Sequence, residues 1–112
     1  MKTFTRQVAR IGSGLLLASC ATIAVAAGDV AAGRVKASTC MGCHGIPNYV
    51  NTYPTYHVPY LGGQHTEYLV TALKAYQTGE RSHPTMKAQA GSMSEQDMQD
   101  IAAFLSQAPH AK

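Results

Sequence analysis

The sequence is poor in charge and in the side-chain sets that most enzymes use. Charged residues fill 13% of its 112 positions. No acid–base pair and no nucleophilic constellation stands out, so the expectation is a protein that is not an enzyme on its own. Only three cysteines are present, and no second Cys pair follows the first. That leaves a four-ligand zinc site unsupported. No stretch alternates apolar and polar residues convincingly enough to be a strand, so a thioredoxin-like βαβ setting is missing as well. Internal repeats and low-complexity linkers are also absent. There is no tryptophan and there are two phenylalanines, which leaves most of the aromatic surface to six tyrosines.

The apolar content is concentrated at the start. Lys2, Arg6 and Arg10 are followed by an uncharged run from Ile11 to Ala27, and Ala24-Val25-Ala26 offers small residues for cleavage. This order reads as a secretory signal peptide over residues 1–26. The run is marginal in length for a membrane span, and an uncleaved anchor is the alternative. Leu17-Ala18-Ser19-Cys20 also resembles a lipoprotein box, which would place a lipid on Cys20. Conventional cleavage is preferred because the apolar run continues past Cys20. A membrane association is expected only if Cys20 is lipidated or the signal stays on. Cleavage leaves one domain, residues 27–112. It holds six basic residues (Arg34, Lys36, Lys74, Arg81, Lys87, Lys112) and six acidic ones (Asp29, Glu67, Glu80, Glu95, Asp97, Asp100). The net charge of +3 therefore belongs to the leader, and no nucleic-acid partner is expected. A domain this small often needs a staple such as a metal or covalent cofactor.

Three main helices are predicted. The first starts at an Asp29 cap and covers Val30 to Ser38, with Gly33 inside it. From Met41 to Gly63, prolines 47, 54 and 59 and four glycines argue for loop, and four of the tyrosines fall between Tyr49 and Tyr60. So much aromatic surface in a loop suggests that it lies against something apolar. The second helix covers Thr66 to Thr78, with Leu69, Ala72, Leu73 and Tyr76 as its apolar stripe and Gly79 as its left-handed cap. The third starts at Ser94-Glu95-Gln96-Asp97, a capping-box pattern, with Met93 and Met98 spaced as a hydrophobic staple. Ile101, Ala102, Phe104 and Leu105 continue its buried face, and Pro109 falls beyond its end.

Cys40-Met41-Gly42-Cys43-His44 is the element that carries chemistry. Two thiols at i and i+3 can each add across a vinyl group of one haem, and the adjacent His then lies under the iron. A structural Cys40–Cys43 disulfide is the bland alternative in an exported protein, but it would leave His44 without a role. The motif therefore predicts one covalently attached haem c, with His44 as an axial iron ligand.

The sixth ligand is open among Met86, Met93, Met98, His57, His65, His83 and His110. Methionine would suit electron transfer by raising the reduction potential. Helical phase puts Met98 in the core, and the staple gives Met93 a structural task. Met86 lies in the expected loop from His83 to Ser92, after Pro84 and before the last helix, where it is free to present a thioether to iron; it is the preferred candidate. Its bland reading is a flexible gap-filler.

With these residues in view, the chain resembles a small bacterial class I c-type cytochrome. It is similar to one domain of the periplasmic dihaem cytochromes c, over nearly all of Asp29 to Gln107. Gly28-Asp29-Val30-Ala31-Ala32-Gly33 resembles the family's first helix, whose Gly lets it cross the last helix closely. Ile101 and Phe104 fall where the family meets that Gly. Pro59-Tyr60-Leu61-Gly62-Gly63 resembles the family's Pro-x-Leu-x-Gly loop. The resemblance implies that the Pro59 carbonyl accepts the Nδ1–H of His44, a bond that makes the ring a better ligand. Gly63-Gln64, Tyr68, Leu73, Tyr76, Gly79 and Arg81 resemble the second-helix signature, and Pro84-Thr85-Met86 sits where the family carries its methionine ligand. Two departures stand out. Met93 replaces the usual Leu, and the tyrosine-rich stretch from Tyr49 to Tyr60 is not typical.

The fold implied is all-α, with three main helices and long loops wrapped around one haem. The function implied is one-electron transfer in the periplasm, iron cycling between Fe(II) and Fe(III) with His44 and Met86 as axial ligands. The partners would be redox proteins that donate and accept the electron. Two alternatives are a dedicated cytochrome subunit of a redox enzyme or oxidase complex, and a gas-binding or sensing haem protein.

Overall fold

The computed structural model describes residues 26–110. The expected leader up to residue 25, with Cys20 and its lipoprotein box, lies outside the described residues. Five helices and one small hairpin follow in order. They are α1 (Val30–Lys36), α2 (Ser38–His44), β1 (Val50–Thr52), β2 (Thr55–His57), α3 (Thr66–Thr78), α4 (Pro84–Ala90) and α5 (Glu95–Gln107). No helix among the described residues is long and apolar enough to cross a membrane.

Each main helix starts and stops for a local reason. The Asp29 carboxylate accepts the Ala32 N–H at 2.8 Å and opens α1. Ser94 and Asp97 complete the capping box of α5 in both directions. Gly79 closes α3 at φ 89°, its N–H donating to the Ala75 carbonyl at 3.1 Å. In α4, Pro84 occupies the first turn, where its missing N–H costs nothing.

The stretch from His83 to Ser92, expected as loop, instead holds α4, because Pro84 is preformed for a first helical turn and the Met, Lys, Gln and Ala residues after it favour helix. Two further expectations need correction. The first helix was expected to end at Ser38 and give way to loop by Met41. Instead the chain is interrupted only at buried Ala37, where ψ is 1°, and turns helical again through His44. No proline occurs before Pro47, so nothing in the chain stops the helix until Gly45. The whole Cys40–His44 motif is therefore helical. Second, the stretch read as strandless contains an antiparallel hairpin pairing Val50 with His57, Asn51 with Tyr56 and Thr52 with Thr55. Its β-branched and aromatic residues favour a pleated ribbon. Most of its side chains are exposed, so no apolar alternation betrays it.

The core joins α3 and α5. Leu69, Val70 and Leu73 of one helix pack with Met98, Ile101, Ala102 and Leu105 of the other. Met93, just before the α5 cap, packs against this cluster. Helix α1 crosses α5 so closely that a Cβ on Gly33 would lie 1.9 Å from the Asp100 carbonyl oxygen and 2.9 Å from the Phe104 Cβ. Phe104 meets Gly33 as expected, but its nearest neighbour is the Asp100 backbone; Ile101 turns into the core. An ionic latch spans the crossing. The Lys36 ammonium lies 2.7 Å from Asp97 and 2.6 Å from Asp100. Asp100, 3% exposed, also accepts the Asp29 N–H at 2.8 Å and the Gln96 amide at 2.9 Å. Its buried carboxylate thus has a partner for each oxygen.

Candidate functional site

The helices and the hairpin leave a cavity of about 430 Å³ between them. Helix α2 presents Cys40, Cys43 and His44 to it. Leu69, Ala72, Leu73 and Tyr76 of α3 supply an apolar wall, which Ile101 and Leu105 of α5 extend. Met86 and Met93 enter from α4 and from the approach to α5.

On α2 the spacing of three places both cysteines on one face. No disulfide joins them, and Cys40 is half-buried and Cys43 exposed. His44 is clipped twice by the loop that follows the hairpin. Its Nδ1 lies 2.7 Å from the Pro59 carbonyl oxygen, and its own carbonyl accepts the Leu61 N–H at 3.2 Å. The only role open to the Pro59 oxygen is acceptor, so Nδ1 carries the proton and Nε2 keeps its lone pair.

The start of α4 is held by aromatic packing. His83 is its N-cap, with Nδ1 accepting the Met86 N–H at 3.3 Å. Tyr56 of β2 stands edge-on to the His83 ring at 4.7 Å, and its hydroxyl lies 3.2 Å from the Thr85 hydroxyl. Met93 is fixed differently, through its carbonyl, which accepts from the Gln77 amide at 2.9 Å.

Of the seven residues expected to compete for one position, four line the cavity: Met86, Met93, His57 and His83. Met98 is buried in the core at 1% exposure, and neither His65 nor His110 reaches the cavity. The His110 ring instead covers Gly63. Sequence reasoning missed His83 as a cap, though a His-Pro pair at a helix start is a legible cap-and-first-turn signal. It also missed the bond between Tyr56 and Thr85, which depends on a hairpin that the sequence concealed.

A helical Cys-x-x-Cys-His turn facing an apolar cavity, with a loop carbonyl fixing the histidine, defines the class of c-type cytochrome domains. The cytochrome c family profile matches residues 30–109, and the chain belongs to that family. It is 41% identical over 83 residues to cytochrome c-554(548) of Halomonas halodenitrificans, covering 71% of this chain and 96% of that one. It is 38% identical over 82 residues to cytochrome c4 of Pseudomonas aeruginosa, covering 73% of this chain and 39% of that one. Among solved structures it superposes on cytochrome c4 of Acidithiobacillus ferrooxidans with a TM-score of 0.55 and 26% identity, over 71% of this chain and 51% of that one. A reduced recombinant cytochrome c4 from Pseudomonas stutzeri gives the same TM-score at 20% identity, over 77% of this chain and 53% of that one, and supports the fold. The chain thus spans nearly all of the short relative and between two-fifths and about half of these longer ones.

The fold is the mostly helical class I cytochrome fold, and the cofactor of the family is covalently bound haem c. The residues present fit that group. Two thiols on one helical face, an imidazole with Nε2 free and a largely apolar cavity are what a covalently held haem requires. The protein is an electron-transfer haem protein that works with redox partners.

Proposed function

We propose that this chain is a periplasmic one-electron carrier with His44 and Met86 as axial ligands and Cys40 and Cys43 as the thioether-forming residues. The observation that carries this reading is the His44–Pro59 contact at 2.7 Å beside a cavity that Met86 also lines. When bound, haem c supplies an iron that cycles between Fe(II) and Fe(III). The chain's own residues prepare the site. Pro59 holds the His44 ring in one tautomer and raises the basicity of Nε2. Cys40 and Cys43 supply thiols from a single helical turn. Leu69, Leu73, Ile101 and Leu105 keep water from the interior. Met86 would hold the iron with His44, since Tyr56 and His83 fix the first turn of α4 beside the cavity, whereas Met93 stands just before the α5 cap. A thioether ligand would raise the potential and leave no open position for a substrate.

The periplasmic part of the proposal rests on the leader at residues 1–26. Mass spectrometry of the exported protein should find a chain starting at Ala27 and carrying one haem. A lipid-modified chain starting at Cys20 would contradict the assignment. Carbon monoxide tests the ligation in general terms. A reduced protein with both axial positions filled binds it slowly or not at all; rapid binding would point to a gas-binding haem. A second reading, a dedicated subunit of a redox enzyme, is favoured by Tyr53, 92% exposed at the tip of the hairpin. A single monomeric species in solution that does not co-purify with a partner argues for the free carrier.

A further inference from the structure

Helix α4 has only seven residues, too few to hold a helical shape alone in water. Its position is therefore decided by what grips its ends. Tyr56 and His83 hold the first turn. The far end is held by one side chain of α3. The Gln77 amide donates to the Ala90 carbonyl at 3.0 Å and to the Met93 carbonyl at 2.9 Å. A primary amide nitrogen has two N–H donors, and here each has its own carbonyl. The two carbonyls stand at the ends of one closed turn, because the Met93 N–H itself donates to the Ala90 carbonyl at 3.1 Å. Gln77 thus clamps the whole turn from the side.

The helices leave these carbonyls over. Ala90 ends α4, and Met93 precedes the Ser94 cap of α5. The N–H groups four residues further on belong to Ser94 and Asp97, and both are committed to the capping box. Ala90 is fully buried, so its surroundings penalise a carbonyl that loses a partner. Lys74, also on α3, pairs with Glu95 at the start of α5, but that pair is half exposed and holds weakly. Gln77 itself is not on the cavity wall, so changing it leaves the cavity lining intact. Met86 lies between the two grips, three residues after His83 and four before Ala90. We infer that Gln77 is a positioning residue for Met86. It acts through the backbone at the far end of α4, and it keeps the thioether at the sixth position against competing ligands. A helix gripped only by Tyr56 and His83 swings on that end and gives up the thioether more often. The inference rests on Met86 as the axial ligand.

The test is displacement by imidazole in the oxidised holoprotein, followed through the methionine–iron band. At saturating imidazole the rate of band loss reports how often the native ligand leaves. Wild type, Gln77→Leu, Gln77→Asn and Asp100→Asn are compared well below their melting temperatures, with Met86→Ala beside them. Gln77→Leu keeps the bulk and loses both donors, and should lose the band roughly tenfold faster, the factor that a hydrogen bond of ordinary net strength supplies. Gln77→Asn is one methylene too short to reach both carbonyls and should fall between it and wild type. Asp100→Asn weakens the α1–α5 crossing without touching α4 and should keep the wild-type rate. A wild-type rate in Gln77→Leu, even with a lower melting temperature, overturns the inference. So does equal acceleration in Asp100→Asn, which belongs to general loosening. Should Gln77→Leu yield no holoprotein, Gln77→Asn decides, and a wild-type rate there counts against. A band that survives in Met86→Ala overturns the ligand assignment and the inference with it. Loss of the band in Met86→Ala with an unchanged rate in Gln77→Leu overturns the inference alone.

Discussion

Replacing Gly33 with Ala tests the crossing on which the whole frame depends. The added Cβ would stand 1.9 Å from the Asp100 carbonyl oxygen and 2.6 Å from its carbon, both backbone atoms that cannot rotate away. Ordinary contact needs about 3.4 Å. Helix α1 must therefore back away from α5, and the same movement stretches the Lys36–Asp100 and Asp29–Asp100 bonds, now 2.6 and 2.8 Å. Overpacking of a tight contact costs about 1–3 kcal/mol, and loss of the bonds puts this case at the upper end. The intrinsic helix preference of Ala over Gly returns about 1 kcal/mol. The net expectation is a loss of roughly 2 kcal/mol, or a fall in Tm on the order of 10 °C for a domain of this size. Thermal unfolding of the holoprotein by far-ultraviolet circular dichroism measures it. Val35→Ala, on the same helix at 75% exposure, is the control and should stay within about 0.5 kcal/mol. A Gly33→Ala protein as stable as wild type would refute the argument that the backbone contact fixes the crossing.

Other consequences follow from the same structure. Lys36, Asp29 and Gln96 hold the Asp100 carboxyl down to about pKa 2, and Lys36 with Ser94 holds Asp97 lower still. Folded values below the unfolded ones mean that the latch stabilises fully above the ordinary carboxylate range and loses its contribution as pH falls through about 4 toward 2. Acid titration of the melting temperature should show that decline in wild type and a smaller one in Asp100→Asn; equal declines would contradict the latch. Ser94→Ala removes the cap of α5, whose hydroxyl accepts the Asp97 N–H at 3.1 Å, and should cost about 1 kcal/mol in equilibrium unfolding. Protein matured without haem should be largely unfolded by circular dichroism, since a cavity of about 430 Å³ then replaces part of its core. Native-like helix content in that protein would count against this.

The three expected helices were legible because their punctuation is local. Asp29, the Ser94–Asp97 box and Gly79 act within one turn, and each sits where the pattern put it. The motif was legible because covalent chemistry demands residue types at fixed spacing. What the sequence hid either carries a weak local signal or depends on distant parts of the chain. The helical course of Cys40–His44 follows from the absence of a stop, which is a weaker signal than a stop. The hairpin has few buried side chains and therefore no alternation to betray it. The Lys36–Asp97–Asp100 latch and the grip of Gln77 on Ala90 and Met93 join residues whose meeting is set by tertiary packing. The choice among Met86, Met93, His57 and His83 was narrowed only when all four were seen at one cavity.

The central claim is that His44 and Met86 fill the axial positions. It is tested most directly by the visible absorption spectrum of the oxidised holoprotein, recorded for wild type, Met86→Ala and Met93→Ala. Wild type should show a weak far-red methionine–iron band that persists in Met93→Ala and disappears in Met86→Ala. A band that survives in Met86→Ala, or is absent from wild type, would contradict it.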